Sequence, residues 1–428
     1  MRPRNDEGFS LIELLIVIVV LGILATVVVF SVRGITDNGQ DSACREDARI
    51  MATAVEAYFA QELTGGSIPA TGAGSARYEA TLVNADLLRD NSEYWDVAAE
   101  GYLISVTPCC RPVGNIVVTG AAGFIGSQIA RACLERGDRV VGVDLLTDYY
   151  DVGQKRANLE RLQQYDGFEF AQHDLAAGFE RFAADADVVF HQAGQPGVRA
   201  SWRNQFDEYL SRNVQATQRV LEACSQHRVG RLVYASSSSI YGNADHYPVD
   251  ESMRPKPFSP YGVTKLAGEQ LCTLYGQNFG LSVLSLRYFT VYGPGQRPDM
   301  ATHRLFEAAL GGPVFPLFGN GEQRRDFTYV GDVVAANLAA ADADIEPGSV
   351  FNVAGGGDHS MLELIDLVGE IAGTPVPIDH QNPERGDVTR TGATTDLART
   401  TLGWEPTTSL RAGLERQHEW HLERRNSA

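Results

Sequence analysis

The chain reads as an α/β protein: a doubly wound parallel sheet with a smaller C-terminal lobe, preceded by a long N-terminal helix and a small α+β head. Three observations carry this. An apolar strand, Ile116-Val117-Val118, runs into a glycine-rich turn and then an apolar-periodic helix that ends near Arg136. Beyond it, short apolar runs alternate with helical patterns, the order that makes a parallel sheet covered on both faces. Ahead of it, the run that starts at Phe9 and ends at Phe30 is almost wholly apolar, and about 20 such residues span a bilayer.

At 428 residues the chain is too long for one typical domain. It is 44% hydrophobic and 21% charged, enough for ample cores. The formal net charge of −18 argues against a nucleic-acid surface, but not against a nucleotide, which needs only local basic groups. The six cysteines lack metal-type or disulfide-framework spacing. Cys133, Cys224 and Cys272 fall in apolar helical patterns and read as buried thiols; the adjacent pair Cys109-Cys110 receives no function. No His/Cys cluster in the sequence suggests a metal.

Taken in order, a short charged leader with Arg2 and Arg4 ends in Gly8, and the apolar run follows, interrupted by one charge, Glu13. A secretory signal has a shorter apolar stretch with its cleavage site behind it; here the candidate cleavage point lies in front. The stretch Gly8-Phe9-Ser10-Leu11-Ile12-Glu13 resembles the prepilin signature of type IV pilins and type II secretion pseudopilins. That resemblance implies cleavage after Gly8, methylation of the new terminal Phe9, and pairing of Glu13 with a neighbouring subunit inside a filament, a partner that a carboxylate in lipid needs. Helical periodicity continues from 41 to 61 through Ala48, Met51, Ala52, Val55 and Tyr58, until Gly65-Gly66 and Pro69 break it. Tyr94-Trp95 and the run from Tyr102 to Val106 read as strands of a small pseudopilin-like head. The expected division is a leader at 1–8, the pilin-like helix and head at 9–107, a joint at 108–114 and an enzyme domain at 115–428.

The turn after the first strand of that domain is Gly120-Ala121-Ala122-Gly123-Phe124-Ile125-Gly126. Glycines there let backbone approach a pyrophosphate at a helix N-terminus. The next strand, 139–143, ends in Asp144, placed to hold the adenosine ribose hydroxyls. No arginine adjoins it, which favours NAD over NADP. Phe168-Glu169-Phe170 leads to a third strand end at Asp174-Leu175, and 187–191 is a fourth strand, followed by Gln192-Ala193-Gly194. Long helical patterns cover 205–226 and 261–279. Between them the apolar run 231–235 delivers four serines, Ser236 to Ser239. Tyr261 and Lys265, four apart, share a helix face. A neighbouring ammonium lowers a phenol's pKa from about 10, and the resulting phenolate can take a proton from a sugar hydroxyl, with a serine sharing the hydrogen bond.

Together these features resemble the extended short-chain dehydrogenase/reductase family, and within it the nucleotide-sugar 4-epimerases, from Asn115 to the C-terminus. The resemblance implies a Rossmann-type domain with a smaller substrate domain, whose substrate-binding parts are mainly 294–325 and 361–428. It assigns Gly120, Gly123, Phe124, Ile125 and Gly126 to the pyrophosphate, Asp144 to the ribose, Asp174 and Leu175 to the adenine edge, and Ala193 to the cofactor-pocket wall. Gln192-Ala193-Gly194 departs from the family's more usual Ala-Ala. Tyr261 is the implied base, Lys265 its partner and nicotinamide-ribose ligand, and Ser237 the catalytic serine. The family's 4,6-dehydratases carry Asp-Glu where this chain has Ser238-Ser239, and its uronate decarboxylases carry Glu at Ser239, so epimerisation remains.

Thr290 and the run Arg297-Pro298-Asp299-Met300 resemble UDP-glucuronate 4-epimerases, so Ser238, Ser239 and Thr290 are expected on a C6 carboxylate, with Arg297, Arg325 and Asp387 as further substrate contacts. UDP-glucose remains the alternative substrate. The family's helix-pair interface implies a homodimer. The two resemblances disagree about compartment: the N-terminal segment implies the inner membrane and pilin-like filament partners, whereas NAD and UDP-sugars imply cytoplasmic work. A second alternative is therefore a pilus or pseudopilus subunit with an appended enzyme domain.

Overall fold

The computed structural model describes residues 95–97, 103–105, 114–202, 205–384 and 386–427 of the chain, in two compact units, Met1–Val113 and Gly114–Ala428. In the first unit, Trp95–Val97 pairs antiparallel with Leu103–Ser105, at the two places where head strands are expected. The leader, the apolar run, the stem at 41–61 and the joint lie outside the described residues. Among the described residues, no helix is long and apolar enough to cross a membrane.

The second unit is organised by seven parallel strands: β1 (Asn115–Thr119), β2 (Arg139–Asp144), β3 (Phe168–Gln172), β4 (Val188–His191), β5 (Arg231–Ser237), β6 (Val283–Tyr288) and β7 (Ser349–Val353). Their spatial order is β3-β2-β1-β4-β5-β6-β7. The inner strands are continuous β-branched and apolar runs because both faces are covered; β6 is buried at every position. Successive side chains part to opposite faces. Ile116 and Val118 join one core with helices α1 (Phe124–Glu135) and, further along the chain, Val330–Asp342. Val117 joins the other, against α2 (Ala216–His227) and α3 (Pro260–Phe279).

Two sequence expectations shift, and one strand joins that no pattern announced. The third strand ends at Gln172, and Asp174 instead caps a 3₁₀ turn, accepting from the Ala176 N–H at 3.0 Å. The helix expected over 205–226 is divided by a π-helical stretch, Leu210–Gln215. Strand β7, expected by no sequence pattern above, closes the sheet beside β6.

The smaller lobe is built from α4 (Ala301–Ala309), α5 (Met361–Ala372) and α6 (Leu410–Ser427) around Leu305, Phe306, Leu317, Leu364 and Leu414. Helix α5 opens with a complete capping box between Ser360 and Glu363. Two short parallel pairings support this lobe: Phe315–Phe318 with Ile378–Gln381, and Thr290–Tyr292 with Phe327–Tyr329.

Candidate active site

The strand order reverses between β1 and β4, and in such sheets ligands sit at the carboxyl edge of that switch. The Gly120 loop leaves β1 there and the Gln192-Ala193-Gly194 loop leaves β4. They touch closely: at Gly120, φ is +70°, and an added Cβ would lie 2.8 Å from the Ala193 nitrogen. At Gly126 it would lie 2.2 Å from the Gly120 carbonyl oxygen, so only glycine closes this loop over the start of α1. The N-cap of α1 is Gly123, with no side chain accepting from the first-turn amides. Those N–H groups and the helix dipole suit a diphosphate.

The cavity above this loop is lined by every residue expected for the cofactor: Gly120, Gly123, Phe124, Ile125, Gly126, Asp144, Asp174, Leu175, Ala193 and Lys265. The Asp144 carboxylate accepts from the Leu146 N–H at 2.7 Å and from the Ala122 N–H at 3.2 Å, tying strand β2 to the glycine loop. Lys155 Nζ lies 4.0 Å from it. A narrow glycine cradle, an uncapped helix start and a carboxylate at the second strand end fit NAD.

A second cavity opens toward the smaller lobe, and Tyr261 and Arg297 line both. Ser237 ends β5, and its Oγ accepts from the Ser239 N–H at 3.2 Å, which turns Ser238 and Ser239 into this second cavity. Helix α3 starts at Ser259, whose Oγ accepts from the Gly262 N–H at 3.1 Å, with Pro260 at its first position. That cap fixes where Tyr261 projects. Beneath the serines lies a buried ion pair: Arg287 Nη2 meets Glu269 Oε1 at 2.7 Å, and Ser236 donates to Glu269 Oε2 at 2.6 Å. Helix α3, β5 and β6 are thereby pinned together next to Ser237 and Lys265.

The electrostatics differ from the sequence expectation in one respect. Burial pushes the Tyr261 phenol above its ordinary value, and the pull back down comes from the Ser237 hydrogen bond and the Arg297 charge rather than from Lys265. Lys265 is 6% exposed, its Nζ 4.6 Å above the Tyr234 ring, and burial lowers it to about 8.

The expected substrate residues Ser238, Ser239, Thr290, Arg297, Arg325 and Asp387 all line the second cavity. Arg297 is held bidentately by Asp299, both contacts at 2.9 Å. Asp387 is taken by Arg199 at 2.7 Å. Arg199 also stacks over Phe318, 4.0 Å from the ring centre, and lines this cavity with Arg325. Sequence reasoning missed it, along with Tyr149, which lines both cavities. Both come from loops without a local pattern, so only the fold brings them in. Gly8 and Phe9 lie outside the described residues.

Residues 116–354 match the NAD dependent epimerase/dehydratase family, and residues 3–29 match the prokaryotic N-terminal methylation motif. An uncharacterised UDP-glucose epimerase of Bacillus subtilis is 40% identical over 302 residues, 70% of this chain and 95% of the relative. A UDP-glucuronate 4-epimerase of Thermodesulfobacterium geofontis is 36% identical over 321 residues, 73% of this chain and 97% of the relative. The crystal structure of UDP-glucuronic acid 4-epimerase from Bacillus cereus, in complex with UDP-glucuronic acid and NAD, superimposes with a TM-score of 0.70 at 39% identity, covering 72% of this chain and 99% of that one. From fold, site and these matches, the chain belongs to the NAD dependent epimerase/dehydratase family.

Proposed function

We propose that the chain interconverts UDP-glucuronate and UDP-galacturonate by inverting C4 through a 4-keto sugar. Tyr261 takes the C4 hydroxyl proton, with Ser237 sharing the hydrogen bond and Lys265 placing positive charge on the same helix face. NAD, held by the Gly120 loop and Asp144, would supply the hydride acceptor at C4 and the hydride donor to the opposite face once the keto sugar has turned in the cavity, and Tyr261 gives the proton back to O4. Ser237, Tyr261 and Lys265 carry over residue by residue from the family resemblance; Lys265 lines the first cavity, Ser237 the second and Tyr261 both, which supports it.

The observation that carries the uronate reading is the hydroxyl set Ser238, Ser239 and Thr290, which lines the second cavity with Ser237 and Tyr261. Hydroxyls can hold a C6 carboxylate without handing it a proton. That restraint matters, because a 4-keto uronate is a β-keto acid and loses CO2 when its carboxylate aligns with the carbonyl π system. No carboxylate follows Ser237 directly, which removes the acid and base for elimination of water. Arg199 and Arg325 supply guanidinium groups for the diphosphate.

The test offers the purified chain UDP-glucuronate and UDP-glucose separately and resolves products by proton NMR. UDP-galacturonate is the expected product. Turnover of UDP-glucose alone keeps the mechanism and replaces the substrate; the 40%-identical relative makes this the second reading. Thr290→Val is expected to lower the ratio of uronate to neutral-hexose turnover, and an unchanged ratio removes the hydroxyl argument. For the N-terminal segment we propose processing between Gly8 and Phe9 and anchorage through the following apolar run, on the strength of the methylation motif at 3–29.

A further inference from the structure

Arg297 lines both cavities, and its charge is one of two influences that pull the Tyr261 phenol down. Asp299 fixes how the guanidinium points, but it rides on the same loop and cannot fix where that loop sits. The residue in front of Arg297 does. Gln296 is 1% exposed and lines neither cavity. Three donors meet on its Oε1: the Thr302 hydroxyl, the His303 N–H at 2.9 Å and the Gln417 amide at 2.9 Å. Its Nε2 donates to the Val291 carbonyl oxygen at 3.0 Å. A backbone N–H only donates and a carbonyl only accepts, so one orientation of this amide satisfies its partners. The fully buried Gln417 amide is set the same way, because its Oε1 receives the Gly293 N–H at 3.1 Å.

Helix α6, which carries Gln417, grips more than this loop. The Tyr292 hydroxyl donates to the Ser409 and Leu410 carbonyl oxygens at 3.3 and 3.2 Å, and a Cβ at Gly413 would lie 2.2 Å from that hydroxyl. The start of α6 therefore lies on the strand that carries Thr290, and Gln417, further along the helix, lies on the loop that carries Arg297. Two glutamines of the cofactor-binding half hold the same loop: Gln128 on α1 donates to the Pro294 carbonyl oxygen at 2.8 Å, and Gln154 to that of Gly295 at 2.9 Å. The loop is thus clamped between the helix that starts at the pyrophosphate cradle and the last helix of the chain. Its own backbone offers little stiffness, with Gly293 and Gly295 at φ +134° and +82°.

We propose that Gln296 and Gln417 are positioning residues, through which helix α6 sets the place of Arg297 against Tyr261 and the bound sugar. The proposal rests on the reading of Tyr261 as the base. A loosened Gln296 seat lets the loop move and takes Arg297 and Asp299 with it. The Tyr261 phenol then loses part of a nearby positive charge and ionises at higher pH. The sugar meets a base that is harder to form, in a pocket whose nucleotide contacts are otherwise kept.

The full chain, extracted in detergent and saturated with NAD, is titrated through the alkaline range by the near-ultraviolet absorbance of tyrosinate, and the Tyr261→Phe titration is subtracted to leave the Tyr261 signal. Gln417→Leu is expected to move the ionisation of Tyr261 up by about half a pH unit. This readout needs no sugar, so it decides the proposal even where UDP-glucuronate fails as substrate. On whichever of UDP-glucuronate and UDP-glucose the wild type turns over, Gln417→Leu is expected to lower kcat about 10-fold with KM moved less than about threefold, the pattern of an effect at the reacting centre. Leu364→Ala, in the core of the same lobe, is expected to lower the thermal midpoint and leave Tyr261 where it was. Should Gln417→Leu not fold, Thr302→Val decides in its place: it removes one of the three donors at nearly unchanged volume and is expected to give a smaller shift of the same sign. A Tyr261 ionisation unmoved by the variant that folds, or moved equally by Leu364→Ala, overturns the proposal, the latter by making the seat a matter of lobe stability alone.

Discussion

Tyr261 and Lys265 share a helix face, yet each is dominated by burial, which holds the phenol above its usual range and brings the amine down to about 8. The sign for activity follows. An amine is charged below its pKa, so Lys265 loses its positive charge as pH rises through about 8, and with it the ammonium expected to hold the nicotinamide ribose. The pH profile of kcat/KM is expected to fall on its alkaline side near pH 8, and Lys265→Met to remove that limb together with most of the rate. The hydrogen bond with Ser237 is the larger of the two influences that lower the Tyr261 pKa. A hydrogen bond to an ionised oxygen is worth about 1.5–3 kcal/mol, so Ser237→Ala is expected to reduce kcat about 10- to 100-fold, read by steady-state assay of sugar interconversion. None of this balance is legible in the letters YGVTK. Spacing gives the shared face, but how much solvent each group loses depends on Tyr234, Arg297 and the loops above them.

Elements explain why some of the fold was legible and some was not. Strands β1, β2, β4 and β5 announce themselves as apolar runs because they are central and covered on both faces. Strand β7, Ser-Val-Phe-Asn-Val, is short and carries a polar residue in mid-strand: Asn352 is buried, its side-chain oxygen receiving the Tyr241 hydroxyl at 2.8 Å. Its side chain reads as a loop until the partner is in place. The Glu269–Arg287 pair is equally silent in sequence, being formed between a helix and a strand, and it supports the serine end of β5. Removing one member of such a pair strands a buried charge at about 3–5 kcal/mol. Glu269→Ala is therefore expected to lower the urea midpoint sharply, whereas Glu269→Met with Arg287→Met costs much less; equal loss in both would mean that packing, not charge, holds these elements.

At the scale of the molecule, the enzyme unit leaves exposed apolar side chains on one face of α3: Val263 and Leu274, about three turns apart, are 50% and 51% exposed. A helix that buries only one side in its own unit has a face for another copy, as the expected homodimer requires. Leu274→Glu is predicted to shift sedimentation from dimer to monomer, and a wild type that sediments as a monomer removes the homodimer. The joint between the two units is where the sequence offers two incompatible compartments. Mass spectrometry of the native protein is expected to find peptides that run from Thr107 to Val118, and the absence of any such peptide would mean that the two units are made separately.

Asp144 carries a consequence for anyone who would re-engineer this enzyme. Its carboxylate does two jobs, facing the cofactor cavity and anchoring the Ala122 and Leu146 amides. A cofactor with a phosphate on that ribose would meet a negative charge, so accepting it requires Asp144 to go. Yet its removal also frees the glycine loop, at about 1–3 kcal/mol for each orphaned amide. Cofactor choice and loop rigidity are thus under one lock: a swap made at this position alone trades selectivity for a looser cradle, and a successful redesign has to supply a new anchor in the same step.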